Sequence, residues 1–324
     1  MKILITGVHG FVGSNLVEAL KKEHIIYGLD IIAPEKDGVV KTFSWDDLEK
    51  VSSKVQEVQG SSVVVPEVDA IIHLAGKAHD TKNQAAADVY FKVNTGLTQK
   101  VFDYFLRSNA KKFVFFSTAK AAADKVEGVL TEDVVPAPVG PYGESKIAAE
   151  KYLLSKMEDV RSKCKDVYIF RPCMIHGPGN KGNLNLLYNV VKKGIPWPLG
   201  AFENRRTFTS IGNICFAVNG VLTKDVPSGI YNMGDDEAFS TNELIEEICK
   251  SLGKKPHIWR LPKGLMNGVA KLGGWLHLPL NPERLRKLTE NYISSNEKIK
   301  AALGINKMPV DAREGLKVTL QSFK

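Results

Sequence analysis

Cysteine is scarce in this sequence, and its apolar runs are too short to span a membrane. The four cysteines in 324 residues form no C-x-x-C pair and have no histidine at ligand spacing. Neither a metal site nor a disulfide framework is indicated, and we expect buried thiols. The most hydrophobic late segment, Leu265 to Leu280, is interrupted by Lys271, Gly273, Gly274 and Pro279. It is unsuited to spanning a bilayer and predicts a packed helix, with contact to a membrane surface as the alternative.

Charge of one sign is not segregated into long blocks either. The formal net charge is +8, but the cations are interspersed with acids and form no basic stripe with interleaved aromatic residues. We therefore expect no nucleic-acid partner, since attraction of a small anionic substrate explains the excess equally well. The apolar residues at the N-terminus belong to a strand rather than to a secretory leader, which predicts a cytoplasmic protein.

What the sequence does contain is a glycine turn between a strand and a helix. The apolar segment 3–5 runs into Gly7, Gly10 and Gly13, and an amphipathic segment follows. Such glycines allow a tight turn and a close approach of the backbone to a pyrophosphate at the positive end of the helix. A glycine triplet alone is a weak signal, but this placement predicts a dinucleotide site.

A second apolar strand ends in Asp30, about twenty positions after Gly10. A carboxylate there accepts hydrogen bonds from the adenosine ribose and repels the 2′-phosphate of NADP. The residues from Ile31 to Pro34 offer no arginine for such a phosphate, and Lys36 is the nearest cation. The predicted cofactor is NAD.

Strands alternate with helices along the first half of the chain, and this order predicts an α/β fold with a doubly wound parallel sheet of the Rossmann type. The predicted strands are Lys2–Thr6, His24–Asp30, Ala70–Leu74, Lys112–Phe116 and Val167–Phe170. We expect residues 1–172 to form the dinucleotide-binding domain, with a return segment around 205–232. Residues 173–324 are expected to form a smaller C-terminal substrate-binding α/β domain. Within the first of these domains, residues 31–69 predict a helix from Trp45 and a loop at Gly60 to Ser62.

Two polar residues near the predicted crevice have competing interpretations. His73 lies among apolar strand residues, and a histidine there is more often a hydrogen-bonded core residue than a catalyst. The small residues Ala75 and Gly76 that follow would let the backbone lie close to a ligand. Asn94 is either a helix cap or a polar anchor inside the cofactor site.

Tyr142 and Lys146 are separated by one helical turn in Tyr-Gly-Glu-Ser-Lys, so their side chains project from one helix face. The pair predicts a proton-transfer site. In isolation, such a spacing is more often an exposed helix surface.

Taken in order, the motifs cover nearly the whole chain. They are Thr6-Gly7-x-x-Gly10-Phe11-x-Gly13, His73-Leu74-Ala75-Gly76, Phe116-Ser117-Thr118, Pro141-Tyr142-Gly143-x-x-Lys146, Arg171-Pro172 before His176-Gly177-Pro178-Gly179, and Arg206-Thr207-Phe208. This set resembles the extended short-chain dehydrogenase/reductases that modify nucleotide sugars. That group includes UDP-sugar 4-epimerases, dehydratases and 4-keto-sugar reductases.

The resemblance implies a catalytic group of Thr118, Tyr142 and Lys146. Tyr142 would be the general base or acid, Lys146 would hold the nicotinamide ribose and lower the pKa of the tyrosine, and Thr118 would bond the reacting hydroxyl. An ammonium and a cationic nicotinamide both favour the phenolate. The implied cofactor-binding set is Gly7, Gly10, Phe11, Val12, Gly13, Asp30, Ile31, Leu74, Ala75, Gly76, Asn94, Tyr142, Lys146 and Pro172.

The implied substrate contacts are Lys77, Thr118, Lys120, Asn183 and Arg206, with no metal. Asn183 resembles the residue that contacts the diphosphate. Arg206 resembles the arginine that clamps it, because a planar guanidinium can bind two oxygens. The alternative is that Arg205 and Arg206 form a solvated pair.

Two departures from the family pattern concern the sugar pocket. Dehydratases of the group carry Asp-Glu after the threonine, whereas this chain has Ala119-Lys120, so dehydration is not expected. His176 replaces the usual tyrosine before Gly-Pro-Gly, and the segment 121–124 replaces a common Val-Tyr-Gly. Both changes are expected to reshape the pocket.

The leading hypothesis is an NAD-dependent 4-epimerase of a UDP-hexose or UDP-N-acetylhexosamine, in which Tyr142 takes the C4 hydroxyl proton while hydride passes to NAD and returns. One alternative is a 4-keto-6-deoxy nucleotide-sugar reductase of surface polysaccharide synthesis. Another, of a different class, is a non-catalytic dinucleotide sensor or scaffold. The family also implies a homodimer through the helices around Thr95–Ser108 and Tyr142–Ser155.

Overall fold

A computed structural model describes residues 1–52, 65–77, 86–275 and 280–324 of the chain. Its strands are β1 (Lys2–Thr6), β2 (Ile25–Leu29), β3 (Val39–Phe43), β4 (Ala70–His73), β5 (Lys112–Phe116), β6 (Val129–Leu130), β7 (Asp166–Pro172), β8 (Met174–His176), β9 (Arg206–Ser210), β10 (Gly229–Met233), β11 (Ala238–Phe239) and β12 (Ile293–Ser294). Its helices are α1 (Phe11–Leu20), α2 (Trp45–Ser52), α3 (Ala87–Tyr90), α4 (Leu97–Arg107), α5 (Ala119–Ala122), α6 (Pro141–Ser155), α7 (Met157–Ser162), α8 (Asn183–Lys192), α9 (Ile211–Thr223), α10 (Thr241–Leu252), α11 (Lys263–Trp275), α12 (Pro282–Thr289), α13 (Glu297–Leu303) and α14 (Ala312–Gln321). A π-helical segment, Phe91–Gly96, joins α3 to α4.

Seven parallel strands form the main sheet in the order β10-β7-β5-β4-β1-β2-β3. The predicted doubly wound parallel sheet is confirmed. From β1 the chain builds outward through β2 to β3 and then crosses to β4 on the other side. The carboxyl ends of β1 and β4 therefore flank the topological switch point, where such sheets bind ligands.

Helices cover both faces of this sheet, because the strand residues alternate between two apolar cores. Ile3 and Ile5 of β1 pack with α1, α9 and α13 on one face. Leu4 packs with α4 and α6 on the other face. Alternate strand residues point to opposite faces of the sheet, and apolar residues on both faces are typical of a parallel sheet buried between helical layers.

The C-terminal part builds a smaller body around a three-stranded sheet of β8, β9 and β11. Helices α8, α10 and α14 pack on it through a third apolar core. One later strand, β10, lies instead at the edge of the main sheet beside β7. The division into two domains at residue 172 stays a prediction.

Other expectations have mixed outcomes. The helix predicted from Trp45 is confirmed as α2, whereas the predicted loop at Gly60 to Ser62 lies outside the described residues. Cys173 and Cys249 are buried as expected. The prediction of a buried thiol is wrong for Cys164, which is exposed in the surface turn between α7 and β7, where its φ is 50°. No helix in the described ranges is long and apolar enough to cross a membrane.

Candidate active site

The glycine turn lies at the switch point and leaves no room for side chains. Gly7 has φ of +69°, and a Cβ there would lie 3.1 Å from the Ala75 nitrogen at the end of β4. A Cβ on Gly13 would lie 2.4 Å from the Gly7 oxygen. Gly10 caps α1, whose first turn contains no acidic residue. The positive N-terminus of α1 is therefore open to an anionic group at close range.

Asp30 follows β2 and its carboxylate is held beside the same turn. Its Oδ2 accepts a hydrogen bond from the His9 backbone nitrogen at 3.0 Å. Its Oδ1 accepts one from the Ile31 nitrogen at 2.7 Å. Each oxygen keeps a lone pair for a ribose hydroxyl. Lys36 lies close by, with Nζ 3.1 Å from Ser14 Oγ on α1.

Asn94 is an anchor rather than a helix cap. Its Oδ1 accepts a hydrogen bond from the Lys77 nitrogen at 2.7 Å, and its Nδ2 donates to the Lys77 oxygen at 3.1 Å and to Ser145 Oγ at 3.0 Å. Ser145 Oγ in turn donates to the backbone carbonyl oxygen of Tyr142. Asn94 thus ties the loop after β4 to the helix that carries Tyr142. Its position inside a π-helical segment is typical of functional sites.

Lys146 lies beneath this anchor, at the crevice. A Cβ on Gly76 would lie 2.9 Å from Asn94 Oδ1 and 3.2 Å from Lys146 Nζ. The lysine also donates to the Phe116 oxygen at 2.8 Å. Burial lowers the pKa of Lys146 to about 8, and the charge of Glu150 opposes that change. The side chain therefore stays protonated at neutral pH.

A side-chain hydrogen bond between Tyr142 and Thr118 joins the third member of the predicted catalytic group. Burial raises the pKa of Tyr142, and the Thr118 hydrogen bond opposes that rise. Desolvation is the largest of these effects, and the expectation that Lys146 lowers the pKa of Tyr142 stays a prediction.

An aromatic and cationic pair adjoins Tyr142 on the open side. Tyr90 lies edge-on to Tyr142, with 6.3 Å between ring centroids. Lys77 Nζ lies 5.6 Å from the centre of the Tyr90 ring. Sequence reasoning named Lys77 but missed Tyr90, because a tyrosine directly before a π-helical segment has no spacing pattern that identifies it.

Lys120 sits at the position where dehydratases carry acids, and its charge is already engaged. Its Nζ donates to Asp124 Oδ1 at 3.0 Å and lies 4.8 Å from the centre of the Tyr292 ring. Asp124 also pairs with Arg286 at 3.2 Å. This cluster closes one side of the site. Asp124 and Arg286 were not expected to meet, since 162 positions separate them.

The guanidinium of Arg206 is held by hydrogen bonds to the protein rather than free in solvent. Its Nε donates to the backbone oxygen of Glu290 at 3.3 Å, and its Nη2 donates to the backbone oxygen of Lys287. Nη2 also lies 3.6 Å from the side-chain carboxylate of Glu290. Burial lowers its pKa. The alternative of a solvated Arg205–Arg206 pair is wrong for Arg206, because backbone carbonyls at the end of α12 hold its guanidinium.

The other predicted residues are spread around the crevice. Phe11 packs near the Gly177 to Gly179 loop, 3.6 Å from a Cβ on Gly177. Val12 follows it in α1, Leu74 follows β4, and Pro172 ends β7. Ile31 is exposed and Asn183 lies exposed at the start of α8.

The expectation that His176 reshapes the sugar pocket is wrong. Its side chain is 1% exposed, and Nδ1 lies 2.8 Å from Thr319 Oγ1. Its Nε2 lies 3.5 Å from Asp235 Oδ2. The imidazole therefore belongs to the interior between β8 and α14, where a ligand cannot reach it.

These features fit a bound dinucleotide: a turn with no space for Cβ atoms, a helix N-terminus without acids, and a carboxylate after β2. They define a Rossmann-type dinucleotide-binding enzyme, with Thr118, Tyr142 and Lys146 as its predicted catalytic group. Residues 3–234 match the model of the NAD dependent epimerase/dehydratase family. The chain belongs to this family, and its cofactor is NAD.

Individual relatives agree with that assignment. The chain is 32% identical to a UDP-glucose 4-epimerase of Vibrio cholerae over 335 residues, which covers 99% of this chain and 95% of the relative. It is 25% identical to a dTDP-4-dehydro-6-deoxyglucose reductase of Escherichia coli, covering 78% and 82%. Its fold is similar to that of UDP-glucuronic acid 4-epimerase from Bacillus cereus in complex with NAD, with a TM-score of 0.73, 20% identity and coverage of 100% and 98%.

Proposed function

We propose that the protein is a 4-epimerase of a UDP-hexose or UDP-N-acetylhexosamine. The observation that carries the proposal is the side-chain hydrogen bond between Thr118 and Tyr142, with the buried Lys146 one turn later on the same helix. This arrangement suits proton transfer to and from a secondary hydroxyl group. A 32% identical relative named UDP-glucose 4-epimerase supports the choice of reaction.

The cofactor would be held by the glycine turn, by Asp30 at the adenosine ribose and by Lys146 at the nicotinamide ribose. When bound, NAD supplies a hydride acceptor and a positive charge. That positive charge would favour the phenolate and so oppose the effect of burial, which raises the pKa of Tyr142.

In the proposed reaction, the Tyr142 phenolate takes the proton from the sugar C4 hydroxyl while hydride leaves C4. Thr118 holds the same hydroxyl group in line. After the 4-keto sugar rotates within the site, hydride returns to the opposite face of C4 and Tyr142 returns the proton to the C4 oxygen. Lys146, protonated at neutral pH, favours the phenolate during the transfer.

For the nucleotide diphosphate we propose Arg206, Asn183 and Lys77. Within the described ranges, Nη1 is the nitrogen of the Arg206 guanidinium that makes no hydrogen bond, since Nε and Nη2 donate to backbone oxygens. Arg206 would then donate to a phosphate oxygen through Nη1 alone and would not bind the phosphate in a bidentate manner. Lys120, bound to Asp124 over the Tyr292 ring, would contact the sugar from its side.

The second candidate function is reduction of a 4-keto-6-deoxy nucleotide sugar, which the reductase relative of Escherichia coli supports. Asp30 favours the epimerase, because a reductase consumes free reduced cofactor and often selects NADPH. A homodimer through α4 and α6 is part of the proposal. It would bury the exposed Leu154 at the end of α6.

The test is incubation of the purified protein with UDP-glucose or UDP-N-acetylglucosamine, without added cofactor, followed by NMR of the sugar. We expect the C4 epimer to form. In Tyr142→Phe the rate should fall by roughly 10²–10⁴-fold with binding kept. Absence of turnover in protein that retains NAD would favour the reductase, and equal activity of Tyr142→Phe would remove Tyr142 from the mechanism.

A further inference from the structure

The mixed charge pattern of the chain changes between residues 248 and 282. This stretch contains no aspartate or glutamate and six cationic residues, which are Lys250, Lys254, Lys255, Arg260, Lys263 and Lys271. Its net charge of +6 compares with +8 for the whole chain. Most of the excess positive charge is therefore concentrated in about a tenth of the sequence.

The same stretch contains α11, an amphipathic helix whose second apolar face lies in solvent. Met266, Ala270 and Gly273 face inward and pack with Leu199 and Leu285. Opposite them, four large apolar side chains recur at the spacing of one helix face. They are Leu265 at 54% exposure, Val269 at 45%, Leu272 at 54% and Trp275 at 76%.

A second exposed tryptophan, Trp259, lies in the segment that precedes α11. Trp259 is 55% exposed, and its backbone nitrogen donates to the Trp197 oxygen at 2.8 Å. Trp197 itself packs with the core beneath α11. In the described part of the chain, Trp259 and Trp275 are the tryptophans with large exposure. Aromatic rings of this kind are enriched where protein meets the lipid headgroups.

The glycine content of α11 also gives this helix a low intrinsic helix propensity. Gly264, Gly268, Gly273 and Gly274 fall within its 13 residues, and glycine disfavours a helix interior. A Cβ on Gly264 or Gly268 would meet no atom within 4 Å. Packing within the described part of the chain therefore does not require glycine at these two positions.

We propose that α11 and Trp259 form a docking surface for an anionic phospholipid bilayer. The apolar face of α11 would lie in the plane of the interface, with Lys263, Lys271 and Arg260 at the level of the headgroups. At 13 residues the helix is about 20 Å long, which suits lying on a bilayer rather than crossing it. The proposal does not depend on the reaction proposed above.

The charge of the surface decides between a bilayer and a second copy of the chain. Two copies meeting through α11 would bring two stretches of like charge together, which opposes association. An anionic bilayer instead offers both the apolar layer and the negative charge that this face lacks. An amphipathic helix with cations beside a tryptophan-rich apolar face is the arrangement that binds such interfaces.

The experiment is flotation of the full chain with vesicles of phosphatidylglycerol and phosphatidylcholine, and with vesicles of phosphatidylcholine alone. We expect binding to the anionic vesicles that weakens in high salt. The double variants Leu272→Ser/Trp275→Ser and Lys263→Glu/Lys271→Glu should each lower the partition coefficient by on the order of tenfold or more. The matched controls Val318→Ser and Lys317→Glu, on the exposed side of α14, should leave it unchanged.

Circular dichroism and size-exclusion chromatography with light scattering accompany each variant, so that loss of folding is separated from loss of binding. Equal binding of wild-type protein and both double variants would overturn the proposal. So would no binding to anionic vesicles by folded wild-type protein. A change of oligomeric state in Leu272→Ser/Trp275→Ser, with no vesicle binding in the wild type, would assign the surface to a second copy instead.

Discussion

Arg171 and Glu150 form an ion pair in the interior of the protein, with 2.6 Å between Arg171 Nη2 and Glu150 Oε2 and side-chain exposures of 2% and 0%. Glu150 lies one helical turn after Lys146 on α6. Its Oε1 also accepts a hydrogen bond from Ser117, the residue before Thr118. One carboxylate thus connects β5, β7 and the helix that carries the proposed catalytic group.

We predict that Glu150→Ala destabilises the protein by about 3–5 kcal/mol, because it leaves the buried Arg171 guanidinium without a counter-charge. Lys151→Ala, one position later and exposed, should cost far less. Urea unfolding of the two variants measures the difference. Equal stability of the two variants would mean that the pair contributes nothing to the folded state.

His73 should make the folded state sensitive to acid. Burial, and secondarily the charge of Lys146, lowers the pKa of His73 to about 3 from 6.5. The ring is therefore neutral in the folded chain, between Thr6 Oγ1 at 2.7 Å and Thr98 Oγ1 at 2.9 Å, which confirms its predicted place in the core.

Because the unfolded chain takes up a proton below about pH 6.5 and the folded chain does not, His73 should reduce stability by up to about 1.4 kcal/mol per pH unit as the pH falls. His73→Gln lacks this proton uptake. The difference in unfolding free energy between wild type and His73→Gln should narrow from pH 7 to pH 5. A difference independent of pH would show that His73 is protonated in the folded state or exposed to solvent.

Gly13→Ala should disrupt the cofactor turn, since its Cβ would lie 2.4 Å from the Gly7 oxygen and 2.8 Å from the Val8 Cα. We expect a loss of about 1–3 kcal/mol in stability, by analogy with overpacked cores, together with weaker NAD binding. Gly264→Ala, where a Cβ has open space, is the control and should be neutral or stabilising. Calorimetry and NAD titration report both effects, and unchanged NAD affinity in folded Gly13→Ala would place the cofactor elsewhere.

Asp30→Ala should relax the preference for NAD over NADP. The variant removes the carboxylate that would repel a 2′-phosphate and leaves Lys36 beside α1 to attract one. Asp37→Ala removes a nearby exposed carboxylate that pairs with Lys21 and should leave the preference intact. The ratio of the two dissociation constants is the measurement, and an unchanged ratio in Asp30→Ala would contradict the ribose assignment.

The sequence predicted the parts of the structure that local patterns determine. β1 and β5 have the predicted bounds, because unbroken apolar runs end at clear turn signals. The edge strand β3 was missed, since it is five residues long and Phe43 is its one buried residue, so it has no alternating apolar pattern. The π-helical segment around Asn94 has no pattern of its own.

Contacts between distant residues are what the sequence could not supply. Nothing in the spacing of Glu150 and Arg171, or of Asp124 and Arg286, indicates that they pair. The engagement of Arg206 with the end of α12 depends on how α12 packs, which no local motif encodes. The exposed face of α11 likewise depends on which side of the helix the smaller body covers.

The most direct test of the proposed epimerase uses a UDP-sugar with deuterium at C4, incubated with the protein and no added cofactor. If hydride leaves and returns within one active site while Tyr142 handles only the hydroxyl proton, the epimer should keep the deuterium at C4. NMR and mass spectrometry of the product measure the label. An epimer with hydrogen at C4, or no epimer from protein that holds NAD, would contradict the account.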